Sequence, residues 1–174
     1  DKAPNAVIEG VDIIAARINN VRFLLFGDEQ QLTPLLERYH KARHACEIRH
    51  TSKMISADDQ PAIALRSGRD SSMRLAINAV GSGEAAGIIS AGNTGALMAI
   101  SKFVLRTQPS IDRPAMVSYF PTRRGKTAVL DLGANIECNA DNLVQFAVMG
   151  AAFVRIELGI DRPTVGLLNV GVED

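Results

Sequence analysis

The chain has 174 residues, 47% hydrophobic and 22% charged, the profile of a soluble globular protein with enough apolar material for a core; a disordered chain is excluded. Nineteen Lys and Arg balance nineteen Asp and Glu, so no net field draws the chain to nucleic acid or anionic lipid, and no nucleic-acid partner is expected. Two cysteines, Cys46 and Cys138, make neither a disulfide scaffold nor a CxxC metal pair and fit a reducing cytoplasm.

In chain order, Pro4 enters a first helix with Val7, Ile8, Val11, Ile14, Ala15 and Ile18 at helical spacing. Residues 21–26 form a short apolar run closed by Gly27, a buried strand. Asp28 caps a helix through Leu32, Leu35 and Leu36, and the alternating residues 46–50 read as a second strand. Ser71 and Ser72 start a helix carrying Met73, Leu75, Ala76 and Val80, which ends at Gly81 and Gly83. A short strand at 87–90, a Gly-bearing turn and a helix over 94–105 follow. Strands at 115–120 and 127–132, a helix over 141–158 and a strand at 165–170 complete the pattern.

Buried strands alternating with helices predict an α/β fold with a mainly parallel sheet. The 141–158 helix leaves little polar face and is expected to be buried on all sides, as a central helix or at a subunit interface. The longest apolar run, 146–154, falls well short of the ~18 residues of a membrane span. The length suits about one domain of ~150 residues. Because Asp1 opens the chain and Asp174 closes it just after a predicted strand, residues 1–174 read as a single α/β domain or the N-terminal part of one, truncated at both ends.

Ligands of open α/β sheets bind beyond the carboxyl ends of the strands, and two segments put Gly and polar residues there. In Ser90-Ala91-Gly92-Asn93-Thr94-Gly95-Ala96, free amides at a helix start form an anion site, Gly92 and Gly95 allow close approach, and Asn93 and Thr94 add side-chain donors. A capped Gly turn with no ligand is the other reading. In Asp131-Leu132-Gly133-Ala134-Asn135, a carboxylate falls inside an apolar run, where it is costly unless paired, so a partner or substrate is expected beside it. Asp131 reads equally as a structural cap, and Asn135 as an oxyanion donor or a turn cap. Arg66, Arg69 and Ser72 form a phosphate-compatible cluster or an ordinary surface loop. Arg123-Arg124-Gly125-Lys126 is a further basic run, solvated or facing an acidic protein. His40 and His44, at i, i+4, lack a third ligand and have basic neighbours, so a solvated helix face is expected and no metal. Cys138 is read as a buried structural thiol, with a nucleophile as the alternative.

Taken together, Arg66-Ser67 with Ser71-Ser72-Met73-Arg74, residues 90–98, Gly125-Lys126-Thr127, residues 131–135, and residues 143–147 with Met149-Gly150 resemble the bacterial phosphate acyltransferases of phospholipid synthesis. The resemblance runs through nearly the whole chain in order. It implies a three-layer α/β/α fold similar to the phosphotransacetylases and the isocitrate/isopropylmalate dehydrogenase-like enzymes, with a second half continuing past Glu173-Asp174. It also implies an enzyme that makes acyl-phosphate from inorganic phosphate and a long-chain acyl-acyl carrier protein. A homodimer in the cytoplasm, touching the membrane peripherally through that second half, is implied too, and no cofactor. On this resemblance Ser90, Gly92, Asn93, Thr94 and Gly95 are expected to bind phosphate. Asp131 is expected to orient a proton or positive partner, and Asn135 to contact the reacting carbonyl, with Asn93 counted among the catalytic residues. Arg66, Arg69, Ser72 and Lys126 are secondary substrate or carrier contacts, and Arg123 and Arg124 suit an acidic carrier. A phosphotransacetylase-like enzyme acting on acyl-CoA and a non-catalytic lipid-synthesis scaffold stay open as alternatives.

Overall fold

The computed structural model describes residues 3–123, 125–135 and 137–169. They fall into two units, Asp1–Arg106 and Thr107–Asp174, each taken by itself below.

In the first unit, α1 (Asn5–Arg17) turns Ile8 and Val11 inward, one helical turn apart. The apolar run becomes β1 (Phe23–Gly27), and Asp28 caps α2 (Glu29–Arg38) by accepting from the Gln30 amide at 3.0 Å. A short α3 (His40–Ala45) leads into β2 (Cys46–His50), which pairs parallel with β1 from Phe23↔Cys46 to Gly27↔His50. This is a βαβ crossover, whose helices are needed to return the chain in the same direction. Ile8, Val11, Leu25, Leu32, Leu36 and Ala42 form its core. Asp12 ties α1 to α3 by accepting from the Ala42 amide at 2.8 Å.

A second core of Ile55, Ala64, Met73, Ile77, Ala96 and Ile100 lies among α4 (Pro61–Ser67), α5 (Ser72–Gly81) and α6 (Thr94–Leu105). The buried Ser71 hydroxyl donates to the Gly68 carbonyl at 2.7 Å and accepts from the Arg74 amide at 3.3 Å, which starts α5 where expected. Residues 87–90 are not a strand. No described neighbour offers them a ladder, Ile88 alone packs on the core, and Ile89 is 89% exposed.

The second unit is a hairpin of β3 (Val117–Thr122) and β4 (Gly125–Leu130), followed by α7 (Ala140–Leu158). The hairpin is antiparallel, in register from Val117↔Leu130 to Thr122↔Gly125, because so short a connection cannot reverse the chain any other way. Of the two described strand pairs, then, one is parallel and one antiparallel: the fold is mixed α/β. No strand forms over 163–169, and Val170 lies outside the described residues.

Helix α7 begins in a capping box in which Asn139 and Asn142 each accept from the other's backbone amide. It ends at Gly159, whose φ of 65° favours glycine. The helix meets the hairpin through Gly150 against Leu130 and Phe153 against Tyr119, with ring centroids 5.5 Å apart. The reading of α7 as a central helix enclosed within this chain is corrected, while the subunit-interface reading is compatible with an exposed apolar face. Two strands cover one side only, and Val144 (63%), Val148 (60%) and Ile156 (81%) are exposed.

Burial, and then the Asp12 carboxylate, push the Cys46 thiol up to about 11. Its folded pKa lies above the unfolded 9.0, so the native state holds this proton more tightly. The stabilisation is fully present below about pH 9 and is lost as pH rises toward 11. Unfolding midpoints of the full-length protein and of Cys46→Ala, measured across that window, are expected to converge with rising pH.

Candidate functional site

The 90–96 turn is organised by one side chain. Asn93 Oδ1 accepts from the Ala96 amide at 2.9 Å and so caps α6. Its Nδ2 points the other way and donates to the carbonyls of Ser56, Ala57 and Asp59 at 3.2, 3.0 and 2.8 Å. The amide is thus taken up in joining the 56–59 turn to the start of α6. Ser90 Oγ accepts from the Gly92 amide at 3.2 Å and holds the preceding bend. Gly95 is required by the approach of Pro61, since a Cβ there would lie 2.8 Å from the proline Cγ.

What stays open is backbone. Thr94 and Gly95 are exposed, and their amides, two of the four donors a helix start leaves unpaired, find no acceptor among the described residues. The α6 dipole adds partial positive charge at the same place. Arg66 and Arg69 are exposed and make no ion pair among the described residues. Arg66 lies five residues beyond Pro61 on α4, roughly 7.5 Å along the helix axis. The Ser72 amide donates to the Lys53 carbonyl at 3.0 Å.

In the second unit the expected partner of Asp131 is the loop itself. Asp131 Oδ1 accepts from the Met116 amide at 2.7 Å; Oδ2 accepts from the Asn135 amide at 2.7 Å and from Asn135 Nδ2 at 3.1 Å. Asn135 Nδ2 also donates to the Pro114 carbonyl at 3.1 Å. Carboxylate and amide together clamp residues 131–135 onto the strand entering at Met116. Between the two clamp residues, the Gly133 and Ala134 amides donate to no described atom.

Lys126, on β4, places Nζ 5.8 Å from the Tyr119 ring centroid, a cation–π contact. Arg123 is exposed at the hairpin tip, and Arg124 lies outside the described residues. His40 and His44 meet edge to face at 4.7 Å. Among the described residues no three His, Cys, Asp or Glu side chains are placed to hold a metal. Sequence reasoning missed the 56–59 turn and Pro61, both of which support the 90–96 turn. Gln60-Pro61 was the available signal, a proline at the first position of a helix.

A model of the family described as fatty acid synthesis protein matches residues 1–174. The chain belongs to this family. It is 58% identical over 174 residues to a phosphate acyltransferase of Rhodospirillum centenum, covering all of this chain and 49% of that protein. It is 56% identical over 174 residues to one of Paramagnetospirillum magneticum, covering all of this chain and 50% of that protein. It is 55% identical over 173 residues to one of Rhodospirillum rubrum, covering 99% of this chain and 50% of that protein. The chain thus spans about half the length of the curated relatives it matches. The relatives bear the name that the motifs at 66–74, 90–98 and 131–135 pointed to. No described helix of this fatty acid synthesis family member is long and apolar enough to cross a membrane.

Asn93→Ala removes the α6 cap and leaves three carbonyls without their donor, at a cost of about 2–3 kcal/mol. Asn93→Ser restores a cap but no amide and is expected to recover about 1 kcal/mol of that loss. Urea unfolding midpoints of the full-length variants check both values.

Proposed function

We propose that the full-length protein is a phosphate acyltransferase, in which inorganic phosphate attacks the thioester of a long-chain acyl-acyl carrier protein. A phosphate oxygen bonds to the carbonyl carbon, the tetrahedral oxyanion collapses, and the C–S bond breaks. The carrier thiolate leaves and takes up a proton, and acyl-phosphate is released. Phosphate is itself the nucleophile, so no covalent enzyme intermediate is needed. The observation that carries this reading is the pair of unpartnered amides, Thr94 and Gly95, at the α6 N-terminus, in a chain whose relatives are named phosphate acyltransferases.

In this proposal the Thr94 and Gly95 amides hold the phosphate, with the Ser90 and Thr94 hydroxyls as further donors. Gly92 keeps the turn open, and Asn93 positions it. Asp131 and Asn135 act through the 131–135 loop they clamp in the second unit, and the Gly133 and Ala134 amides are the donors that this loop offers to an oxyanion. Arg66, Arg69, Ser72 and Lys126 assist substrate or carrier binding, and Arg123 offers positive charge to an acidic carrier protein. The wider expectations belong to the same proposal: the chain as part of a three-layer α/β/α domain, a homodimer, and a cytoplasmic site at the membrane's inner face.

The test uses the full-length protein with palmitoyl-acyl carrier protein, with and without phosphate. Free thiol and acyl-phosphate are expected in equal amounts, and only with phosphate. Thr94→Val keeps the shape and removes the hydroxyl; it is expected to raise the phosphate KM about tenfold with a smaller change in kcat. Thiol release without acyl-phosphate would make the protein a thioesterase. Equal turnover of the CoA thioester would make it a phosphotransacetylase-like enzyme.

A further inference from the structure

Gly150 and Phe153 turn one side of α7 toward the β3–β4 hairpin. Along the opposite side run Asp141, Val144, Val148, Ala152 and Arg155, all exposed. At about 100° per residue, these five side chains leave the helix within about 40° of the direction of Val148. An apolar row rimmed by charge and left in water marks a surface of association.

The symmetry of the row indicates what covers it. Its residues are spaced three, four, four and three apart, so it reads the same from either end about Val148. The mean step, fourteen residues over four, is that of a coiled-coil seam. Only the charges at its ends differ. The Asp141 side chain makes no ion pair among the described residues. Arg155 donates from Nε to the Asp161 carbonyl at 3.0 Å and makes no ion pair among them either.

A two-fold contact brings the same patch of two copies together, residue i against j and j against i. Turned antiparallel about Val148, this row complements itself. Val148 meets the partner's Val148, Val144 meets the partner's Ala152, and Asp141 meets the partner's Arg155. A parallel arrangement would instead set each charge against its own like. We propose that α7 is the two-fold seam between two copies of the full-length protein, packed antiparallel about Val148. This deepens the homodimer reading and rests on it, and it is independent of the acyl-transfer chemistry.

The test uses the full-length protein with Cys46 and Cys138 replaced; Cys138, expected to be buried, is exposed just ahead of α7. On mild oxidation, Val148→Cys is expected to give a disulfide-linked dimer, located by mass in a peptide joining residue 148 to itself. Ile156→Cys is at a more exposed position but is expected not to link. Eight residues from the axis, its two copies lie roughly 24 Å apart along the helices. Asp141→Lys and Arg155→Glu are each expected to raise the dimer dissociation constant about tenfold, and the double reversal to restore it to within about threefold. Restoration separates a contact between copies from damage to the helix.

Linking at 148 and 156 alike, or at neither in a protein that is a dimer by mass, would overturn the seam and leave the homodimer standing. A full-length protein that is a monomer by mass would end both. Resistance of Val148→Cys to alkylation in the dissociated monomer would show the second half of the protein covering α7, and the proposal would fail.

Discussion

A backbone that leaves its helix or strand must still satisfy its N–H and C=O groups, and both candidate loops are shaped by how that demand is met. At the start of α6 the demand falls on Asn93, which serves one amide and three carbonyls at once. In the second unit it falls on Asp131, which accepts three N–H bonds from the segments on either side of it. Each side chain closes its loop by using nearly all of its hydrogen-bonding capacity internally. Few polar atoms of Asn93, Asp131 or Asn135 are left for a substrate, and the donors that remain are backbone amides at Thr94, Gly95, Gly133 and Ala134.

This division separates support from contact. A backbone amide has no rotamer to search, so once the turn is held, the donor is held. The glycines fit the same arrangement. Pro61 approaches Gly95 too closely for any side chain, and the φ of 83° at Gly133 is one that glycine adopts without strain. Asn93 therefore holds the turn in this geometry, although its amide, read as a residue type in a Gly-rich turn, looks like a ligand.

The parts of this organisation governed by local chemistry were legible in the sequence. Asp28, Ser71 and Asn93 precede helices and cap them, and α6 spans the residues that its apolar spacing indicates. The run at 21–26 is a strand because its length and apolarity leave little else. What depended on neighbours was not legible. Residues 87–90 have strand composition, but a strand is made by its partner, and none of the described segments pairs with them. The apolar surround of α7 indicated burial, yet two strands cover only one side of a helix. The loop at 131–135 was recognised as a place where a carboxylate needs partners. That the partners were Met116 and Asn135 amides, and not a ligand, depended on where the chain returns.

The same reasoning explains why a net charge of zero says nothing about anion binding in this chain. Amides at a helix start carry partial positive charge that no count of Lys and Arg records, and they titrate at no physiological pH. A site built on them keeps its donors protonated whatever the state of nearby histidines or carboxylates. Its affinity then varies with pH only through the ligand's own protonation and through side chains at the rim. The exposed Arg66 and Arg69, free of ion pairs among the described residues, add long-range attraction that salt screens within about 10 Å. The short-range amide contacts are much less affected. In the phosphate-binding proposal, attraction from a distance and grip at contact thus belong to different atoms, so that a neutral chain needs no net field, which would gather every other polyanion, to hold a small dianion.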